Sequence, residues 1–205
     1  MSKKSIAVLI SGSGSNLQSL IDACAKPDFP AKIVLVISNK DDAYGLQRAE
    51  AANIPTQVIC HKDYPDRESF DSALHNAIIA SKVEYVCLAG FMRLLTAGFV
   101  GKWQGKMINI HPALLPSFKG INTHEQAIEA GVKIHGCTVH YVVPEMDSGP
   151  IIIQAAVPVL QGDTPETLGK RVLQYEHIIY PLALQKMILS VAVVPVEDKD
   201  FIISY

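Results

Sequence analysis

Short apolar runs alternate with helical patterns along most of this chain, and no other feature constrains its fold as much. Residues 5–10 form an apolar run, then Ser11-Gly12-Ser13-Gly14-Ser15-Asn16 intervenes. Residues 17–25 follow with Leu17, Leu20, Ile21 and Cys24 on one helical face. The same rhythm repeats: strands at 33–38, 55–60, 83–88 and 106–111, helices at 43–53, 67–81 and 96–101. Such alternation predicts an α/β fold, a Rossmann-like, mostly parallel, doubly wound sheet with helices on both faces. After residue 122 the pattern changes. A helix is expected near Thr123, residues 134–143 alternate with period two, and 151–157 form another strand, giving an antiparallel C-terminal hairpin extension. Residues 164–189 read as a long helical region that Pro181 kinks or restarts, and 191–205 as an edge hairpin. Nothing resembles an interdomain linker, so residues 1–205 are read as one domain, with a phosphate-binding half over 1–105 and a catalytic half over 106–205.

Composition narrows the class. Of 205 residues 49% are apolar and 19% charged, enough for a sizeable core and unlike a disordered chain. With 18 basic and 20 acidic residues the net charge is −2, which points to neither nucleic acid nor an anionic membrane. No apolar run is long enough to span a bilayer, and the run after the basic N-terminus is too short for a signal peptide. The four cysteines, Cys24, Cys60, Cys87 and Cys137, form no CxxC pair, so a reducing cytoplasm without a zinc knuckle or disulfide framework is the expectation.

The loop after the first strand carries chemistry. Glycines let the backbone approach a ligand, and a helix N-terminus offers unpaired N–H groups to an anion. The dinucleotide pattern is incomplete: Leu17 stands where the third glycine belongs, and the second strand ends in Asn39-Lys40 without an acid for a ribose. No Gly-Lys-Ser/Thr occurs either. A single-phosphate site is favoured, although a tight glycine turn without a ligand gives the same pattern.

The second chemical stretch is Met107-Ile108-Asn109-Ile110-His111-Pro112. Pro112 must end the strand, since it has no N–H for the ladder. Asn109 and His111 then share one face of the strand at its carboxyl end, where ligands of open α/β sheets bind. An amide and an imidazole side by side can both donate to one oxygen, as a reaction through an oxyanion requires. A structural histidine and a turn-capping asparagine would have the same spacing. Asp147, in Pro144-Glu145-Met146-Asp147-Ser148-Gly149-Pro150, is expected near the hairpin tip. The apolar cluster Phe91-Met92-Arg93-Leu94-Leu95, after another strand end, is either core or the wall of a site for a flat heterocycle.

Taken together these motifs are specific. Ile10 to Leu17 in the Gly-rich turn, Leu88-Ala89-Gly90-Phe91-Met92-Arg93-Leu94-Leu95, Asn109-Ile110-His111-Pro112, Leu114-Leu115-Pro116, Thr123-His124, His135-Gly136-Cys137-Thr138-Val139-His140 and Asp147-Ser148-Gly149-Pro150 resemble the phosphoribosylglycinamide formyltransferase family nearly end to end. Two positions depart: Ala113 stands for the family's usual Ser, and Ser148 for the first Gly after the acid. The resemblance implies formyl transfer from 10-formyltetrahydrofolate to the amine of glycinamide ribonucleotide in purine synthesis. It implies no metal, nucleic acid or membrane partner, and a monomer or weak homodimer. It makes Asn109, His111 and Asp147 the catalytic trio. Gly14, Ser15, Asn16 and Glu176 would bind the ribonucleotide. Arg67, Met92, Arg93, Leu94, Leu95, Asn109, Val143, Pro144, Glu145, Met146 and Asp147 would bind the folate. Three other readings stay open: a formyltetrahydrofolate hydrolase, a methionyl-tRNA formyltransferase, for which the chain lacks both length and charge, and a non-catalytic nucleotide-binding module.

Overall fold

A computed structural model gives the fold and describes residues 2–190 and 202–204. β1 (Lys4–Ile10) leads into α1 (Ser15–Cys24), β2 (Ala31–Ser38), α2 (Tyr44–Ala51), β3 (Thr56–Val58), α3 (Arg67–Ala80), β4 (Tyr85–Leu88), α4 (Ala97–Lys102) and β5 (Met107–His111). Then come α5 (Thr123–Glu129), β6 (Ile134–Tyr141), β7 (Ile151–Pro158), α6 (Pro165–Leu189) and β8 (Ile202–Ser204). The strands make one sheet in the order β3-β2-β1-β4-β5-β6-β7-β8. β1 to β5 pair in parallel, and β5-β6, β6-β7 and β7-β8 pair antiparallel. The α/β class, the parallel core and the antiparallel extension therefore stand as expected.

The parallel strands read as continuous apolar runs because helices cover both faces. Ile6, Val8 and Ile10 of β1 pack with Leu17 and Leu20 of α1, Ala49 of α2, Ala127 of α5 and Val172, Ile179 and Leu184 of α6. Ala7 and Leu9 look the other way, onto Phe70, Leu74 and Ile78 of α3 and Phe99 and Val100 beside Trp103. Truncating such a fully buried leucine to alanine typically costs about 2–5 kcal/mol.

Register places the carboxyl ends side by side. Leu9 pairs with Leu88, Leu88 with Asn109, and Asn109 with His140. The connections leaving β1 and β4 diverge here, since β1 feeds β2 on one side while β4 lies on the other. This is the switch point at which open α/β sheets make a crevice.

One local reading changes and two are answered in part. The expected strand at 55–60 shortens to β3, and a 3-10 turn at His61–Asp63 follows. α6 continues through Pro181, which is inside the helix and neither ends nor restarts it. A Thr164 side chain accepts from the Thr167 N–H at its start, a cap typically worth about 1 kcal/mol. The hairpin expected over 191–205 falls largely outside the described residues; of it, only β8 is described, paired antiparallel with β7.

Candidate active site

β5 presents Asn109 and His111 on the face that also carries Met107, beside α4. β6 returns antiparallel, so period two places Thr138 and His140 on that same face, with Cys137 and Val139 on the other. The 142–150 connection then carries Asp147 back over the end of β5. His111 Nδ1 lies 3.5 Å from Asp147 Oδ2, and His140 Nε2 lies 3.8 Å from Asp147 Oδ1. Asn109 Nδ2 lies 3.3 Å from His140 Nε2. Residues far apart in sequence thus meet around one carboxylate at the strand end.

The ring nitrogens can be assigned from their partners. His111 Nε2 is 2.9 Å from the Phe118 carbonyl. A carbonyl only accepts, so Nε2 carries the proton and Nδ1 faces Asp147. At 3.5 Å that contact is an ion-pair distance with room to redirect an Nδ1–H, and is longer than a tight hydrogen bond. Asp147 Oδ2 in turn accepts from the Gly120 N–H at 2.9 Å. The loop after β5 therefore holds both partners with its backbone, the acceptor at 118 and the donor at 120. It does so in an unusual conformation: Phe118, Gly120, Asn122 and Asp147 have φ of 54°, 86°, 56° and 51°. For the non-glycine residues this left-handed region costs about 1–2 kcal/mol each, so surrounding contacts must hold it. Phe118 packs edge-on against His135, centroids 5.8 Å apart. Thr123 Oγ1 donates to the Pro112 carbonyl at 2.6 Å, and the His124 and His135 rings meet at 3.1 Å. Burial pushes His135 down to about 4, with His124 adding to the effect, so this ring is neutral at physiological pH.

The Gly-rich loop is built differently. Gly14 precedes α1 with φ 68°, and no side chain caps the helix, leaving first-turn N–H groups open. A Cβ on Gly14 would stand 2.5 Å from Gly45 Cα, whereas one on Gly12 would meet nothing within 4 Å. Gly14 is thus demanded by its conformation and by α2, independently of any anion. Arg48 of α2 braces the loop by donating to the Ser13 carbonyl at 2.9 Å. Asn16 turns inward and donates to Glu176 of α6 at 2.6 Å. Burial pushes the Glu176 carboxyl above its usual range, and the Asn16 amide opposes that.

The apolar segment after β4 divides: Phe91 and Leu95 pack partly buried against the core face that holds Phe70 and Leu74, while its other apolar side chains turn outward. Met92 is 68% and Leu94 59% exposed, and Met146 of the Asp147 loop is 50% exposed; Arg93, Leu95 and Val143 are half-buried, Pro144 and Glu145 exposed. Met92 N–H donates to Ser11 Oγ at 2.7 Å, tying this segment to the end of β1. Asp71, buried on α3, anchors its far end by accepting from the Thr96 N–H at 2.7 Å. Arg67 is exposed on the first turn of α3, and no described contact joins it to the trio. A cavity of about 340 Å³ adjoins Asp147, lined by Leu115, Pro116, Lys119 and Glu145 among others. The larger one, about 660 Å³, lies between α1 and α6 beside Ser15, away from the trio. Asp22, His177, Gln18 and Arg48 line it, but it lies apart from the strand end where His111 and His140 both come within 3.8 Å of the Asp147 carboxylate, and size alone does not make it the reactive centre.

Sequence reasoning passed over His140, the Phe118 carbonyl, the Gly120 N–H and Asp71. Only His140 had a signal: its alternation with Thr138 put it on one side of β6, and the β5–β6 register was needed to set it opposite Asn109.

Comparison with known proteins agrees with this fold. The formyl transferase family model matches residues 4–184. The trifunctional purine biosynthetic protein adenosine-3 of Bos taurus is 57% identical over 89% of this chain, which spans only 18% of that relative's length. The phosphoribosylglycinamide formyltransferase of Haemophilus influenzae is 48% identical, covering 89% of this chain and 86% of its own. The crystal structure of the Brucella melitensis phosphoribosylglycinamide formyltransferase superposes with a TM-score of 0.88 at 49% identity, over 94% of this chain and 100% of that one. This chain belongs to the formyl transferase family, alongside the phosphoribosylglycinamide formyltransferases.

Proposed function

We propose that this protein transfers the formyl group of 10-formyltetrahydrofolate to the amine of glycinamide ribonucleotide, a step of purine synthesis. The observation that carries the reading is the convergence of Asn109, His111 and Asp147 at the carboxyl end of β5. The names of full-length relatives support it.

The residues suit the chemistry. The amine attacks the formyl carbon, a C–N bond forms, and the formyl oxygen takes up negative charge. Asn109 N–H and the Nδ1–H of a protonated His111 stabilise that oxygen; one good donor is worth about 3 kcal/mol. Asp147 faces Nδ1 and helps move the proton lost by the amine to the departing folate nitrogen as its C–N bond breaks. The open first turn of α1, at Gly14, Ser15 and Asn16, takes the phosphate, with Glu176 reaching the same ligand. The exposed Met92 and Leu94, with Arg93 and Leu95 and the 143–147 loop, take the folate ring, and Arg67 makes a further folate contact. Ala113 and Ser148 leave these groups in place.

The chain acts as one formyltransferase domain, since α6 packs on α1 and Glu176 completes the Asn16 contact. We place it in the cytoplasm: Cys24, Cys60, Cys87 and Cys137 are free thiols, and no helix among the described residues is long and apolar enough to cross a membrane. It works as a monomer or weak homodimer. The test supplies purified protein and 10-formyltetrahydrofolate with ribonucleotide, water or tRNA as acceptor. Transfer to the ribonucleotide alone is expected. Rapid hydrolysis without acceptor would favour the hydrolase, transfer to tRNA the methionyl-tRNA enzyme, and no consumption of donor a non-catalytic module.

A further inference from the structure

Asn109 has an ambiguity that His111 lacks. Rotating its amide by 180° exchanges an N–H₂ for a carbonyl oxygen, and an oxygen facing an oxyanion repels it. Its own strand does not decide between the two, because backbone register fixes where the side chain starts and not how the amide is turned.

The residue opposite does decide. His140 pairs with Asn109 across β5 and β6 and is 3% exposed. Its Nδ1 lies 2.9 Å from the Tyr141 carbonyl, so Nδ1 carries the proton. Nε2 of the neutral ring is then a lone pair, and it lies 3.3 Å from the Asn109 amide nitrogen. A lone pair can receive only the N–H₂ end of an amide. One amide hydrogen is held there, and the second remains for a ligand.

We propose that His140 is a positioning residue: as a neutral imidazole it turns the Asn109 amide so that N–H, and not oxygen, serves the formyl oxygen. This rests on the formyl-transfer reading. The groups facing the ring favour the neutral state on balance. Burial pushes His140 below its ordinary value and the charge of His111 adds to that, while the Tyr141 carbonyl and Asp147 oppose. Protonation would place an N–H on Nε2, force the amide to turn, and set His140 against His111 for Asp147, whose Oδ1 is 3.8 Å away. Acid would therefore remove the Asn109 donor and weaken the support of His111 together.

Two substitutions separate positioning from packing. His140→Phe keeps a ring but has no acceptor, whereas His140→Gln offers an oxygen acceptor that does not titrate. With both variants folded by thermal melting, H140F should lower kcat roughly thirtyfold with the ribonucleotide KM within about twofold, since a donor rather than a binding contact is lost. H140Q should recover most of that loss, and its kcat should decline less on the acid side than the wild type's. An H140F turnover within about threefold of wild type, or an H140Q as slow as H140F with an unchanged acid side, would overturn the proposal. The Asn109 side-chain amide protons, followed by NMR in unliganded protein, read the contact without any reaction. One proton shifted downfield in wild type and H140Q but not in H140F supports it, and equal spectra in all three refute it. An inactive wild type would count against the formyl-transfer reading, while the amide spectra would still judge the His140 contact.

Discussion

The crevice has two ends, and they are held by opposite means. After β1 the loop is fixed by backbone: Gly14 at φ 68° against Gly45, with the first turn of α1 behind it. After β5 the site is made of side chains from a strand, its antiparallel neighbour and the hairpin loop, oriented by single backbone groups at Phe118 and Gly120. A backbone-built site needs little from side-chain identity and much from the absence of a Cβ. A side-chain-built site needs its acid, base and donor, and tolerates changes that leave those atoms in place. The difference says where each end should be fragile.

The largest effect is expected from Asp147→Asn. An asparagine oxygen can still accept from the Gly120 N–H, so the loop should stay folded while the charge facing His111 disappears. Turnover should fall roughly a hundredfold or more, on the scale of one lost oxyanion donor, and the dissociation constant for the ribonucleotide should change little. Loss of ribonucleotide affinity in proportion to turnover would show that the two ends are not separable.

Acid should strain the β5 end. A His135 at about 4 against the ordinary 6.5 means that the unfolded chain binds protons which the folded chain refuses. The stability it allows is complete above about pH 6.5 and lost as pH falls toward 4, a change of up to about 3 kcal/mol. Urea melts across that range measure it. His135→Gln should flatten the profile, and an unaltered profile would assign the acid sensitivity elsewhere.

The backbone-built end is tested by a pair of glycines. Gly14→Ala should destabilise by about 2 kcal/mol, from left-handed strain and the approach to Gly45. Gly12→Ala, with open space and no positive φ, should stay within about 0.5 kcal/mol. Equal costs would break the comparison. The smallest effect is expected from Glu176→Gln, which keeps an acceptor for Asn16. It should leave the melting temperature and kcat nearly unchanged and raise the ribonucleotide KM a few-fold, whereas an unmoved KM would leave the pair a packing contact alone.

The same contrast explains what could be read from the sequence. The parallel, helix-covered sheet followed from alternation, though its strand order did not, and the Gly-rich turn announced itself because conformation there dictates composition. Asn109 and His111 were legible because spacing of two on a strand ending at Pro112 leaves one geometry. Asp147 could be placed at a hairpin tip, but its meeting with His111 depended on the β5–β6–β7 registers, which no local pattern encodes. Phe118 was illegible: its contribution is a carbonyl, which every residue has, aimed by a φ of 54° that a bulky side chain would not predict. Gly14 was readable yet ambiguous, since Gly45 demands it whether or not an anion binds.

The claim on which the rest depends is that carbonyl groups set two neighbouring histidines in opposite tautomers, one to support a charge and one to orient a donor. Long-range ¹⁵N–¹H correlation of the ring nitrogens in unliganded protein, at a pH where both rings are neutral, measures this directly. The proton is expected on Nε2 of His111, toward Phe118, and on Nδ1 of His140, toward Tyr141. The same tautomer in both rings, or the reverse pair, would contradict it.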